Sequence, residues 1–188
     1  MAGNIVITQY ISLDGVIEDP VGMEGTGLGD WTGPYNRGPL GDAFKERELR
    51  DAVAMIYGRR TYDGFAAVWP QVSGDFADRM NALPKYLAST TIKTPEWNNA
   101  RLLGANLEGA VRDLKSRING DILIYGSGSI CHTLLSHGLV DEISLMTYPV
   151  VLGRGIRLFP LGVATNFRLI GHEAFDDGIM LTRYRLAD

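Results

Sequence analysis

Two stretches of this chain set glycines, hydroxyls and arginines where an anion can be held. The first runs from Asp121 to Gly138 (DILIYGSGSICHTLLSHG). An apolar run, Ile122 to Tyr125, breaks into Gly126-Ser127-Gly128-Ser129, and apolar residues then recur at Ile130, Leu134 and Leu135. That pattern predicts a buried strand, a glycine turn and the first turns of a helix. Glycine admits positive φ and close approach of a ligand. The free N–H groups and positive dipole end of a helix start favour a phosphate, and Ser127 and Ser129 add neutral donors. The simplest guest is a diphosphate-bearing cofactor. A bare turn of α/β architecture stands beside that reading, because two glycines alone are a weak signal and Cys131 occupies the place of a third.

The second stretch is Ala52 to Val68. A buried strand (AVAMIY) ends at Gly58, and Arg59-Arg60-Thr61 opens a segment of helical character with Tyr62, Phe65 and Ala66 on one side. Two strand-glycine-helix junctions in one short chain count for more than either alone. A third strand, Pro84 to Ser89, ends in the hydroxyls Ser89, Thr90 and Thr91.

These junctions need a scaffold, and the rest of the chain supplies one. With 188 residues, 45% hydrophobic and 21% charged, the expectation is one soluble domain spanning 1–188. The net charge of −4 gives no global basic field for nucleic acid, so an anionic cofactor needs local positive groups. One cysteine excludes an internal disulfide and a multi-cysteine zinc site. No run approaches a membrane span and no signal-peptide pattern opens the chain, so the expected location is cytoplasmic. His132 and His137 are off helical register and His172 is distant, so no metal site is expected.

Asn4 to Ile11 reads as a strand. Glu18 to Gly41 reads as a Gly- and Pro-rich loop carrying Trp31 and Tyr35. Structureless loops beyond ~12–15 residues are usually functional lids or disordered, and the aromatics favour a lid. Asp42 to Asp51 reads as a charged helix with Asp42 as a candidate N-cap. Gly74 to Leu83 is a short helix, Ala100 to Leu103 a short strand, and Asn106 caps a helix with Leu107, Val111, Leu114 and Ile118 on one face. Val140 to Val151 is strand-like, with Pro149 suggesting an edge or bulge. Phe167 to Ala174 and Ile179 to Leu186 form a hairpin about Asp176-Asp177-Gly178. The order is β-loop-α-β-α-α-β-β-α-β-α-β with a closing hairpin. It predicts an α/β fold: a mostly parallel sheet, helices on both faces and an antiparallel edge.

Five stretches, taken in order, resemble the dihydrofolate reductase-like superfamily. They are Ser12-Leu13-Asp14-Gly15-Val16-Ile17, Gly58-Arg59-Arg60-Thr61-Tyr62, Lys85-Tyr86-Leu87-Ala88-Ser89, Tyr125-Gly126-Ser127-Gly128-Ser129, and Leu139-Val140-Asp141-Glu142 with Pro149-Val150-Val151-Leu152-Gly153. The nearer likeness is to the branch typified by the C-terminal reductase domain of the bacterial riboflavin-biosynthesis deaminase/reductase. The resemblance implies a three-layer fold and NADPH. It puts Gly58, Arg59, Arg60 and Thr61 at the cofactor phosphates, Ser89 and Thr90 beside the adenosine ribose, and Gly126, Ser127, Gly128 and Ser129 at the diphosphate. An arginine pair suits the 2′-phosphate of NADPH over NADH. The resemblance also implies hydride transfer to a pterin- or ribosylaminopyrimidine-like substrate. Asp42 or Asp14 would then be the carboxylate in the site, and Trp31 and Tyr35 would stack on the heterocycle. Asp42 as a plain N-cap and Asp14 as a turn residue stand beside those roles. A riboflavin-pathway substrate would need a phosphate-binding group such as Arg154 or Arg157. These residues carry no zinc deaminase ligand set, so a monofunctional chain is expected. A nucleotide-binding module without catalysis, acting as sensor or carrier, is the rival reading. A homodimer is expected through an apolar edge near Val140 to Val151.

Overall fold

In the computed structural model, which describes residues 2–187, β-branched residues at Ile5, Val6 and Ile7 open a strand that lies near the middle of an eight-stranded sheet. The elements run β1 (Asn4–Ser12), α1 (Gly38–Asp51), β2 (Ala54–Gly58), α2 (Arg59–Val68), α3 (Asp75–Ala82), β3 (Lys85–Ala88) and β4 (Ala100–Leu102). They continue with α4 (Leu107–Arg117), β5 (Asp121–Ile124), α5 (Gly128–Ser136), β6 (Glu142–Tyr148), β7 (Phe167–Ala174) and β8 (Met180–Leu186). The strand order is β4-β3-β2-β5-β1-β6-β8-β7, with β6 to β8 and β8 to β7 antiparallel and every other pairing parallel.

Alternation along the strands sorts the core by face. Ile5, Ile7, Ile122 and Ile124 pack with Val111 and Leu114 of α4 and Ile130 and Leu134 of α5. On the other face, Val6, Met55, Tyr57 and Leu123 pack with Leu49 of α1, Tyr62 of α2 and Met80 of α3. A third cluster, with Trp31, Phe44, Tyr148 and Phe175, continues beneath the hairpin. The faces follow from the handedness of parallel crossovers. The chain moves from β1 out to β4 with its helices on one face, then returns through β5 to β6 with them on the other. Strand β5 therefore has a neighbour on each side, β1 and β2, whose following helix leaves on the opposite face. Ligand crevices of open α/β sheets form at such switch points, outside the carboxyl ends of the strands.

Two expectations change. Helix α1 begins at Gly38, with Pro39 in its first turn and Arg37 at the cap position, so Asp42 lies inside the helix and is not its N-cap. Proline suits the first turn because no intrahelical acceptor awaits its missing N–H. Strand β6 ends at Tyr148, before Pro149, and is paired on both sides by β1 and β8. The segment expected to offer a free apolar edge is therefore interior to the sheet. The Asn106 cap is as expected, its side chain accepting the Gly109 N–H at 3.2 Å. Among the described residues no helix is long and apolar enough to cross a membrane.

Candidate functional site

Two cavities open at the carboxyl ends of β1, β2 and β5. The smaller, of about 220 Å³, is bounded by the two glycine junctions, Gly58 to Thr61 and Gly126 to Ser129, with Glu18, Glu24 and Ile156. Helices α2 and α5 both begin there, and the first N–H groups of a helix have no intrahelical acceptor. The junctions are laced together. Ser127 N–H donates to Thr61 Oγ1 at 2.9 Å, Gly58 N–H donates to Ser127 Oγ at 2.9 Å, and Ser127 Oγ donates to the Tyr125 carbonyl at 2.9 Å. The Ser127 hydroxyl thus builds the cleft. Gly126 takes φ of 53°, and a Cβ on it would lie 2.7 Å from Thr61 Oγ1. Buried Gln9 holds the Gly126 carbonyl, donating from Nε2 at 2.8 Å.

Arg59 and Arg60 line this cleft and are more than half exposed. Arg59 Nε pairs with Asp63 at 3.2 Å, one helical turn on. Arg60 pairs with Glu18 of the loop at 3.1 Å, and the other Glu18 oxygen accepts the Ile156 N–H at 3.0 Å. Ser89 and Thr90 line neither cavity; they follow β3, whose Ala88 pairs with Gly58. Ser89 Oγ accepts the Thr91 and Ile92 N–H groups at 3.2 and 3.0 Å, closing its own turn.

The larger cavity, of about 550 Å³, has Thr8, Gln9 and Tyr10 of β1 at its floor with Tyr125. Lys45 and Asp42 come from α1, and the loop between β1 and α1 forms the roof with Met23, Glu24 and Tyr35 among others. Opposite stands an aromatic wall. Phe65 and Trp69 have ring centroids 6.3 Å apart, and Trp69 and Phe76 5.4 Å apart. Lys45 is buried, and Glu48 beside it is equally shielded. The Lys45 ammonium donates to Glu48 Oε2 and to Thr8 Oγ1, at 3.3 Å for the latter, and lies 4.2 Å from the Tyr125 ring centroid. Tyr125 donates its hydroxyl to the same Glu48 oxygen at 3.1 Å. Burial, with the Glu48 charge second, pushes the Tyr125 phenol well above its ordinary value. Arg37 reaches Asp42 at 2.7 Å and donates to the Tyr10 hydroxyl.

The roof is an ordered lid. Asp19, 1% exposed, accepts the N–H groups of Glu24 and Thr26 at 2.8 and 3.0 Å. Tyr35 faces the cavity, with its ring centroid 5.7 Å from that of Tyr148. Trp31 does not. Its indole donates to the Glu18 carbonyl at 2.9 Å and its ring packs edge-on against Tyr148 at 5.8 Å, so it anchors the lid from below.

The cavities share Glu24, Thr61 and Gly126. Thr61 donates its hydroxyl to Glu24 Oε1 at 2.6 Å. Burial pushes the Glu24 carboxyl above the usual range, the Thr61 hydrogen bond opposing it; neighbouring Asp19 and Glu18 push the same way and Arg60 the other. Asp42 stands on the rim of the larger cavity, exposed and ion-paired. Asp14 lies in neither. Its carboxylate accepts from Ser12 Oγ at 2.6 Å and from the Leu152 and Gly153 N–H groups at 3.1 and 2.9 Å, which holds it down at about 2. It pins the turn after β1 to the segment after β6. Arg157 and Arg154 lie outside both cavities too, donating to the Asp14 and Gly27 carbonyls at 2.9 and 3.3 Å. Cys131 is a buried packing residue whose thiol is pushed up to about 12 by burial. Among the described residues no group of three or more His, Cys, Asp or Glu is placed to hold a metal ion.

Glu24, Arg37, Lys45 and Gln9 escape sequence reasoning. The first two lie in a loop without periodicity, and Lys45 reads as one more charge on a polar helix.

Comparisons with known proteins bear on the family and the fold. The chain matches the family model of the RibD C-terminal domain over residues 4–181. It is 29% identical over 142 residues to the uncharacterized protein YyaP of Bacillus subtilis (strain 168), covering 72% of this chain and 75% of that one. Among solved structures, dihydrofolate reductase from Enterococcus faecalis, complexed with NADP(H), aligns with a TM-score of 0.60 at 13% identity over 98% of this chain and 97% of that one. A pyrimidine reductase-like protein from Corynebacterium diphtheriae aligns with a TM-score of 0.61 at 16% identity, covering 98% and 92%. The Thermotoga maritima diaminohydroxyphosphoribosylaminopyrimidine deaminase/5-amino-6-(5-phosphoribosylamino)uracil reductase gives a TM-score of 0.66 at 16% identity, with 99% of this chain covering 57% of that one. An eight-stranded dihydrofolate reductase-like sheet, with a family match over nearly its whole length, places this chain in the RibD C-terminal domain family.

Proposed function

We propose that this chain is an NADPH-dependent reductase of a small flat heterocycle. The observation that carries this reading is the shared wall: the cleft between the two glycine junctions and the aromatic cavity meet at Glu24, Thr61 and Gly126. The cleft suits a dinucleotide by its donors, two helix starts and two arginines. The structural neighbour complexed with NADP(H) supports the same choice. Gly58, Thr61, Gly126, Gly128 and Ser129 would hold the diphosphate, and Arg59 or Arg60 the 2′-phosphate, with Ser89 and Thr90 towards the adenosine end. When bound, the cofactor supplies a hydride at the seam. The chain's own residues do the rest: Tyr35, Phe65 and Trp69 hold a flat ring, Asp42 offers it an acceptor at the rim, and the lid excludes water. A half-buried carboxylate at the seam, Glu24, favours a reductase over a nucleotide-binding module without catalysis.

The test is calorimetric titration with NADPH and NADH. NADPH is expected to bind more tightly, and Arg59→Ala or Arg60→Ala to weaken it by about tenfold or more, since a charged hydrogen bond contributes roughly 1.5–3 kcal/mol. Neither variant should change NADH binding to that extent. Binding of neither nucleotide at millimolar concentration would overturn the reading.

Glu24 adds a pH dependence. Its carboxyl is held above the ordinary range, so on raising the pH it ionises and sets a negative charge beside the incoming diphosphate. NADH affinity is expected to fall through that ionisation, NADH having no 2′-phosphate to titrate. Glu24→Gln should bind NADH several-fold more tightly at pH 8, and the difference should narrow as the pH falls through the Glu24 ionisation. Equal affinity of the two proteins at pH 8 would show that Glu24 does not oppose the ligand.

A further inference from the structure

The larger cavity has a charge pattern that constrains what enters it. Its wall carries four carboxylates, Asp19, Glu24, Asp30 and Asp42, against two cations, Arg37 and Lys45. Both cations are committed, Arg37 to Asp42 and the Tyr10 hydroxyl, and Lys45 to Glu48 and Thr8. Among the described residues no cation on this wall is left without a counter-charge. The arginines that follow β6 are turned away, onto backbone carbonyls. A phosphate brought here would meet surplus negative charge and no cation to neutralise it.

The apolar part of the surface is chiefly Phe65, Trp69, Phe76 and Met80, beside neutral polar groups such as Gln9, Thr32 and Asn36. Trp69 Nε1 is buried with no acceptor among the described residues. Buried indole N–H groups normally find partners. Among the described residues the other orphaned buried atom is Glu48 Oε1, whose second oxygen holds Lys45.

We infer that the substrate of this chain is an uncharged or cationic aromatic heterocycle without a phosphate, seated between the aromatic wall and the lid. The inference rests on the reductase reading only for which cavity takes the substrate. It departs from a phosphoribosyl substrate such as that in the name of the Thermotoga maritima relative.

Three probes share one ring system and differ in the tail: lumichrome, with none; riboflavin, with a neutral ribityl chain; and riboflavin 5′-phosphate, with the same chain phosphorylated. Each is titrated by fluorescence into the protein, with NADPH titrated in parallel. Lumichrome and riboflavin are expected to bind at least tenfold more tightly than riboflavin 5′-phosphate, and the ratio should shrink at high salt. Phe76→Glu and, on the exposed lid, Val21→Trp should each weaken lumichrome at least tenfold while leaving NADPH unchanged; the second guards against misfolding of the first. Equal or tighter binding of the phosphorylated probe overturns the inference. So does failure of all three to bind, or discrimination that survives both substitutions. If NADPH does not bind but the probes are discriminated as expected, the cofactor reading falls and this one stands. If NADPH binds and the probes are not discriminated, only this inference falls.

Discussion

Gly126→Ala is expected to lose cofactor binding by at least tenfold and to lower the melting temperature. At φ of 53° an alanine adopts a left-handed conformation, and backbone strain of this kind costs roughly 1–3 kcal/mol. The added Cβ would stand 2.7 Å from Thr61 Oγ1 and 3.0 Å from its Cγ2, so Thr61 must move. Thr61 receives the Ser127 N–H and donates to Glu24, and its displacement unlaces the two junctions that form the cleft. Calorimetry with NADPH and a thermal melt would read the two effects. An unchanged affinity would mean that the ligand does not approach this turn.

Lys85→Met, at the buried start of β3, is expected to give a large loss of stability. Lys85 is fully buried, and its ammonium donates to the carbonyls of Asn81, Leu83 and Asn98 at 2.9, 2.8 and 3.0 Å. It also lies 4.4 Å from the Trp97 ring centroid. This one group ties the end of α3 to the turn before β4. Methionine fills the space but leaves buried carbonyls without donors, at about 1–3 kcal/mol each before relaxation. A net cost of about 3 kcal/mol corresponds to a fall of roughly 6–12 °C for a chain of this size. Burial lowers the ammonium from 10.5 to about 8. Between those values the unfolded chain binds the proton more tightly than the folded one, so wild-type stability should rise with pH across that window. The variant should lack that slope. A melt at pH 7 within 2 °C of wild type would show the bonds to be dispensable.

The sheet and its glycine junctions were legible because they depend on local signals: apolar runs ended by glycine, a capping asparagine, and a hairpin turn at Asp177 and Gly178. Helix α1 was read four residues short, although Gly38-Pro39 carried the signal of its start. Pro149 was misread as lying inside a strand, since it follows β6 directly. That the two glycine junctions share one cleft was legible, because each is marked by a local run of residues. The make-up of the larger cavity was not. Lys45 meets Thr8 and Tyr125, and Glu24 meets Thr61, across separations that only the crossover geometry closes. Trp31 and Tyr35 share one loop and one aromatic neighbour, Tyr148, yet only Tyr35 reaches the cavity.

The placement of β5 between β1 and β2 also bears on how the molecule assembles. Asn4 and Asp121, paired at one edge of β5, are 117 residues apart in the chain, and Ala54 and Ile122 pair at the other. Contacts of such long range carry a loop-closure cost before they contribute stability, and they slow folding. No nascent fragment lacking residue 121 onward holds both halves of the seam. Productive binding is therefore deferred until the middle of the sheet has closed. A ligand that grips both halves then draws its stabilisation from the whole native state, about 2.7 kcal/mol at a hundred times its Kd.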